Sequence, residues 1–133
     1  MANALYDKGR ERFLTGGINW TSDTIKCSLV DTGTYTVSLS GHEYYSSVSG
    51  VIAGPNTLGS KTATAGSADA ADTTFSAVSG ASIEAIIIYK FDTADSTSPL
   101  IAYIDTATGL PITPNGGDII VQWDNGTNKI FRL

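Results

Sequence analysis

A chain of 133 residues is one domain of ordinary size, long enough to bury a core without disulfides or a structural metal. Its 41% hydrophobic and 16% charged content excludes a disordered chain, and a net charge of −5 with eight scattered Lys and Arg argues against a nucleic-acid binder. The single cysteine, Cys27, excludes an internal disulfide and cannot build a zinc site alone.

Taken from the amino end, Asn3 is placed to cap a short helix running to about Leu14, in which Leu5, Tyr6, Phe13 and Leu14 form an apolar stripe. Lys8, Arg10 and Arg12 lie between them, Gly9 weakens the helix from within, and Thr15-Gly16-Gly17 ends it. A helix this short is marginal alone, so its stripe is expected to pack on a sheet. After Ile18-Asn19-Trp20, the run from Thr24 to Asp31 alternates as a strand with Ile25, Cys27 and Leu29 inward and Lys26 and Ser28 outward. Cys27 reads there as a small buried hydrophobe. Thr34 to Leu39 reads as a further short strand.

The stretch from Ser40 to Gly80 is polar and rich in small residues. It predicts one turn of helix near His42 to Ser47, a Gly-Pro loop from Val51 to Thr57, and two or three edge strands. Beyond it the pattern sharpens. Ala85, Ile87 and Tyr89 alternate with Ile86 and Ile88, and Ile101 and Tyr103 alternate with Leu100, Ala102 and Ile104. Side chains alternate faces along a strand, so these two runs need cover on both sides, from a second layer, a helix or a partner chain. Asp118 to Asp124 and Asn128 to Leu133 then read as a closing hairpin with its turn at Asp124-Asn125-Gly126, because Asn-Gly suits the positive φ angles of a tight turn. With pairing continuing to Leu133, no appended catalytic segment is expected.

Seven or eight short strands at close spacing predict an all-β fold: residues 1–133 as a single antiparallel β-sandwich domain, jelly-roll or Ig-like, with one short N-terminal helix. Ile25, Leu29, Ile87, Tyr103, Val121 and Trp123 are the expected core. The opening residues carry no apolar segment behind a basic stretch, and no apolar run is long enough to span a bilayer; the expectation is a soluble chain made in a cytoplasm, without a membrane partner. Asn19-Trp20-Thr21 and Asn125-Gly126-Thr127 match the glycosylation pattern, which carries little meaning without a secretory signal.

The residues that can do chemistry form no recognised constellation. His42, the one histidine, lies beside Glu43 in a polar loop with no nucleophile turn anywhere, and reads as a loop-packing residue. Asp92 and Asp95 offer oxygens, but their spacing matches no calcium loop. Asp118 and Asp124 project with Gln122 away from Ile119, Val121 and Trp123, and nothing sets them across a cleft as a glycosidase requires. Tyr44 and Tyr45 are candidates for exposed aromatics that stack on sugars or partners, although packing is the commoner role. The expectation is a non-enzymatic protein with no catalytic, cofactor or metal site.

Two stretches carry a resemblance. The opening MANALYDKGRERFLTGGINWTSDTIKCSLVDT and the closing LIAYIDTATGLPITPNGGDIIVQWDNGTNKIFRL together make about half the chain. They resemble the two ends of small structural proteins of tailed bacteriophages, including the Thr-Gly-Leu-Pro and Pro-Asn-Gly-Gly-Asp turns. The resemblance implies a virion component made in the host cytoplasm, most of all a capsid decoration or cement protein on the capsid surface. Its implied partners are the major capsid protein or other virion proteins, with a homo-oligomer such as a trimer as an option and no nucleic acid, membrane or cofactor. The alternative is a tail, neck or fibre module that recognises a host surface glycan; a small hydrolase with an unrecognised site ranks last. For docking, Lys8, Arg10 and Arg12 concentrate positive charge in an otherwise acidic chain, and Tyr44 and Tyr45 are the next candidates.

Overall fold

The structure, a computed structural model, describes residues 3–107, 109–123, 126 and 129–132. Among the described residues it is mostly β, with an antiparallel sheet and one α-helix. Strands β1 (Ala4–Leu5), β2 (Ile25–Val30), β3 (Val51–Thr57), β6 (Ala85–Lys90) and β7 (Leu100–Ile104) form one sheet in the order β1-β7-β6-β2-β3. Two ribbons accompany it, β4 (Ser67–Ala68) with β9 (Phe131–Arg132) and β5 (Thr73–Phe75) with β8 (Ile119–Val121). The helix α1 spans Asp7–Leu14.

The doubly apolar runs become β6 and β7, paired from Ile86↔Ile104 to Tyr89↔Leu100, with β2 on the other side of β6. The chain itself covers both of their faces. On one, Ile25, Cys27, Leu29, Ile86 and Ile88 pack with Trp20, Phe75, Val121 and Trp123, of which Phe75 and Val121 belong to the β5–β8 ribbon. On the other, Ala85, Ile87, Tyr89 and Tyr103 pack with Tyr6, Tyr35 and Tyr45. The expected core residues Ile25, Leu29, Ile87, Tyr103, Val121 and Trp123 are all buried.

Several local expectations give way to competition for partners. Asn3 is no helix cap: its side-chain oxygen accepts the backbone N–H groups of Asp105 and Thr106, extending β1 along β7, and Tyr6 precedes the helix without a side-chain cap. Ser28, expected outside, is fully buried, because the second face of β2 is covered too and its hydroxyl has a partner in Tyr45 at 2.7 Å. Thr34 to Leu39 forms no strand. Both edges of β2 are taken by β3 and β6, and the N–H groups of Thr34 and Tyr35 fold back onto the Asp31 carbonyl.

Val51 to Thr57, expected as a loop, is the edge strand β3. Its ladder with β2 shifts register between Ala53 and Asn56, where Gly54 (φ +96°) and Pro55 sit in a bulge, as an edge strand allows. At the other end, β8 and β9 pair with β5 and β4 rather than with each other. The Asp124-Asn125-Gly126 turn and Asp124 itself lie outside the described residues, apart from Gly126. The helical turn expected near His42 to Ser47 is a 3-10 turn at Tyr45–Ser47.

Candidate functional site: helix α1 and the loop that holds it

Helix α1 lies directly on β7. Gly9, buried at the middle of the helix, has room for no side chain: a Cβ there would stand 2.5 Å from the Leu100 carbonyl oxygen. The start is fixed by Tyr6 N–H donating to the Ile101 carbonyl and Asp7 N–H to the Leu39 carbonyl, both at 2.9 Å. The end is fixed by Gly17 N–H donating to the Arg12 carbonyl at 2.7 Å. Gly9 facing inward turns Leu14 outward, and Leu14 is 87% exposed, so it leaves the predicted apolar stripe.

The three cations of the helix do not form an unopposed patch. Lys8 pairs with Glu11 at 3.1 Å and Arg10 with Asp7, both pairs exposed at the helix surface. Arg12 reaches the loop, donating to Glu43 at 2.7 Å and to the Tyr44 hydroxyl at 3.0 Å, with its guanidinium over the Tyr44 ring. Lys8 is raised by its hydrogen bond to Glu11, and Arg12 beside Glu43 holds that carboxyl below its usual value. Tyr44 is half-buried in this arrangement. Tyr45 is buried, stacked on Tyr89 at 3.9 Å, and belongs to the core rather than to a docking surface.

His42 packs inside the same loop, with Nδ1 2.9 Å from the Tyr35 hydroxyl, which in turn lies 2.8 Å from the Tyr6 hydroxyl. Burial pushes both phenols up, Tyr6 the further, and pushes the Cys27 thiol up to about 12, so neither phenol nor thiol is a nucleophile in waiting. Beyond the helix, Phe13, Ile18, Trp20 and Phe131 line an apolar groove of about 330 Å³, with Phe131 edge-on to Trp20 at 5.2 Å.

Asp92, Asp95 and Asp118 lie in hydrogen-bonded turns and connections. Asp95 opens a 3-10 turn at Asp95–Thr97 in the β6–β7 connection, and the Ser98 hydroxyl ties that turn to the Ala94 carbonyl and the Asp92 N–H. Asp118 accepts the Ala77 N–H at 3.0 Å. Among the described residues no group of three or more His, Cys, Asp or Glu is placed to hold a metal, and no helix is long and apolar enough to cross a membrane. Sequence reasoning gave Asp7, Glu11 and Glu43 no part in this surface and set Leu14 in the packed stripe. The i,i+3 spacing of Asp7–Arg10 and Lys8–Glu11 was a usable signal for two of the pairs; Glu43, far along the chain, gave none. Compared with known proteins, the chain matches no protein-family model and no curated protein.

Proposed function

We propose that this chain is a non-enzymatic structural protein of a tailed-phage virion, a decoration or cement protein that binds the outer surface of the major capsid shell. The observation that carries this reading is the way the helix is presented. A sheet covered on both faces by its own chain makes a stiff support, and α1 is pinned on it at Gly9, Asp7 and Arg12 with Leu14 held out in solvent. The likeness of both chain ends to such proteins supports the same reading. A cement protein needs a rigid scaffold and a fixed contact surface repeated many times over a lattice, where modest affinity per copy suffices.

Because the cations of α1 are already paired, the docking face is the outer side of the helix, Leu14 with Lys8 and Arg10, and apolar burial contributes more than net charge. Burying one leucine is worth about 1.5–3 kcal/mol. Leu14→Glu is therefore expected to lower binding to purified undecorated particles by about tenfold or more, with the thermal midpoint of the free protein unchanged. Undiminished binding by a folded Leu14→Glu protein would overturn this docking face.

A further inference from the structure

The Pro-Asn-Gly-Gly-Asp turn, residues 114–118, is stitched to Ala77 and Val78 by hydrogen bonds. The Gly116 N–H donates to the Val78 carbonyl at 2.8 Å, and the Val78 N–H donates back to the Gly117 carbonyl at 2.9 Å. Beside them the Asp118 carboxylate accepts the Ala77 N–H at 3.0 Å. Val78 is 4% exposed and packs in the core, so that side is anchored, while Asn115, Gly116 and Gly117 are exposed. Within the turn Asn115 Oδ1 accepts the Gly117 N–H at 3.0 Å, the bond by which an asparagine closes a turn two residues on.

An asparagine followed by glycine carries a reaction of its own. The glycine nitrogen gives its proton to solvent and attacks the asparagine side-chain carbon, closing a five-membered succinimide. The C–N bond of the side-chain amide breaks, and its nitrogen takes a proton from solvent and leaves as ammonia. Solvent water then adds to either ring carbonyl and opens the ring, giving aspartate or isoaspartate. In isoaspartate the main chain runs through the former side chain. At Asn115 the electrophile is ready, because the Gly117 N–H polarises its amide carbonyl. Gly116 has no side chain to hinder attack, and the space beside it is open. What the closed turn withholds is the nucleophile, since the Gly116 N–H is committed to Val78.

We propose that Asn115 is a site of spontaneous deamidation gated by this turn: parting of Gly116 from Val78 frees the nitrogen, and the reaction follows in an otherwise folded chain. An exposed turn held by a few hydrogen bonds opens at lower cost than a core strand does. The modified turn does not close in the same register. Isoaspartate lengthens the main chain ahead of Gly116 and misplaces its N–H against Val78, and either product adds a negative charge near Asp118. This inference does not rest on the virion reading, since it concerns the free chain.

The test incubates the whole protein and Asp118→Ala in mildly alkaline buffer, with the same chain unfolded in urea as the reference. Peptide mapping by mass spectrometry separates Asn115 from Asn125, which also precedes a glycine. Asn115 in the folded wild type is expected to react about tenfold or more slowly than in urea. Hydrogen exchange at the Gly116 amide is expected to be slowed by the same factor to within about threefold, because one opening frees the nitrogen for both, and by less than exchange at Ile87 in β6. Asp118→Ala loses the Ala77 contact and is expected to react about threefold or more faster than the folded wild type. Equal rates in the folded and unfolded wild type would remove the gate. Protection of Asn115 that departs from that of Gly116, or equals that of Ile87, would remove local opening as the route. An unchanged rate in a folded Asp118→Ala protein would also overturn the proposal; the first two readouts need no variant.

Discussion

Gly9 of α1 and Leu100 of β7 meet backbone to backbone, the glycine Cα facing the carbonyl at a distance no side chain fits. Helix propensity alone favours alanine over glycine by about 1 kcal/mol. The contact reverses that preference, since a Cβ would meet rigid strand backbone at 2.5 Å. Gly9→Ala is expected to destabilise by about 1–3 kcal/mol, the range for overpacking a tight contact. Urea denaturation checks it, and a stabilised variant would show that the helix is not seated on β7.

The second polar contact of the tyrosine-lined face joins Ser28 to Tyr45. Both are buried and their hydroxyls lie 2.7 Å apart. Ser28→Ala leaves the Tyr45 hydroxyl without its partner and is expected to cost about 1–3 kcal/mol. Adding Tyr45→Phe removes the stranded group, so the double variant is expected to lose less than the sum of the singles. A double-mutant cycle in urea measures the difference, and strict additivity would place no coupling between the two hydroxyls.

What was legible in the sequence was what local pattern decides. The runs Ala85–Lys90 and Leu100–Ile104 read as buried strands because they are apolar on both faces, and Leu29 and Trp123 read as core because they alternate with polar neighbours. Partner choice was not legible. Ser28 looks exposed until Tyr45 is brought over it from 17 residues away, and Asn3 looks like a cap until Asp105 and Thr106, just past β7, offer two N–H groups. Gly54-Pro55 suggests a loop, yet an edge strand accommodates it in a bulge. The residues expected to dock divide the same way. Lys8, Arg10 and Arg12 were visible as a run of cations, but Glu43 reaches Arg12 through tertiary structure, which also draws Tyr45 into the core.

Trp20 and Trp123 pin one segment from two sides. Their indole N–H groups donate to the carbonyls of Asp69 and Ala71 at 3.0 and 3.1 Å, and the Trp123 backbone N–H donates to Asp72. Trp123→Ala is expected to cost about 3–5 kcal/mol, the range for truncating a large core aromatic. Thermal or urea unfolding checks this; a loss below about 1 kcal/mol would place Trp123 outside the core.

Acid stability follows Glu43. Its carboxyl is held below the ordinary value first by the Arg12 hydrogen bond, so the folded state favours the ionised form. The stabilisation is present above the unfolded carboxylate pKa and is lost as pH falls through the lower folded value. Arg12→Met is therefore expected to flatten the fall in thermal midpoint below about pH 4.5. Parallel acid limbs in the two proteins would assign that fall to other carboxylates.

The central claim, that the chain is a shell-decorating virion protein, is tested most directly by the protein composition of purified particles of the phage that encodes it, read from a stained gel. The account predicts a band in molar amount approaching that of the major shell subunit. Its absence from the particles would contradict the virion reading itself, and a few copies per particle would contradict decoration in favour of a tail or fibre position.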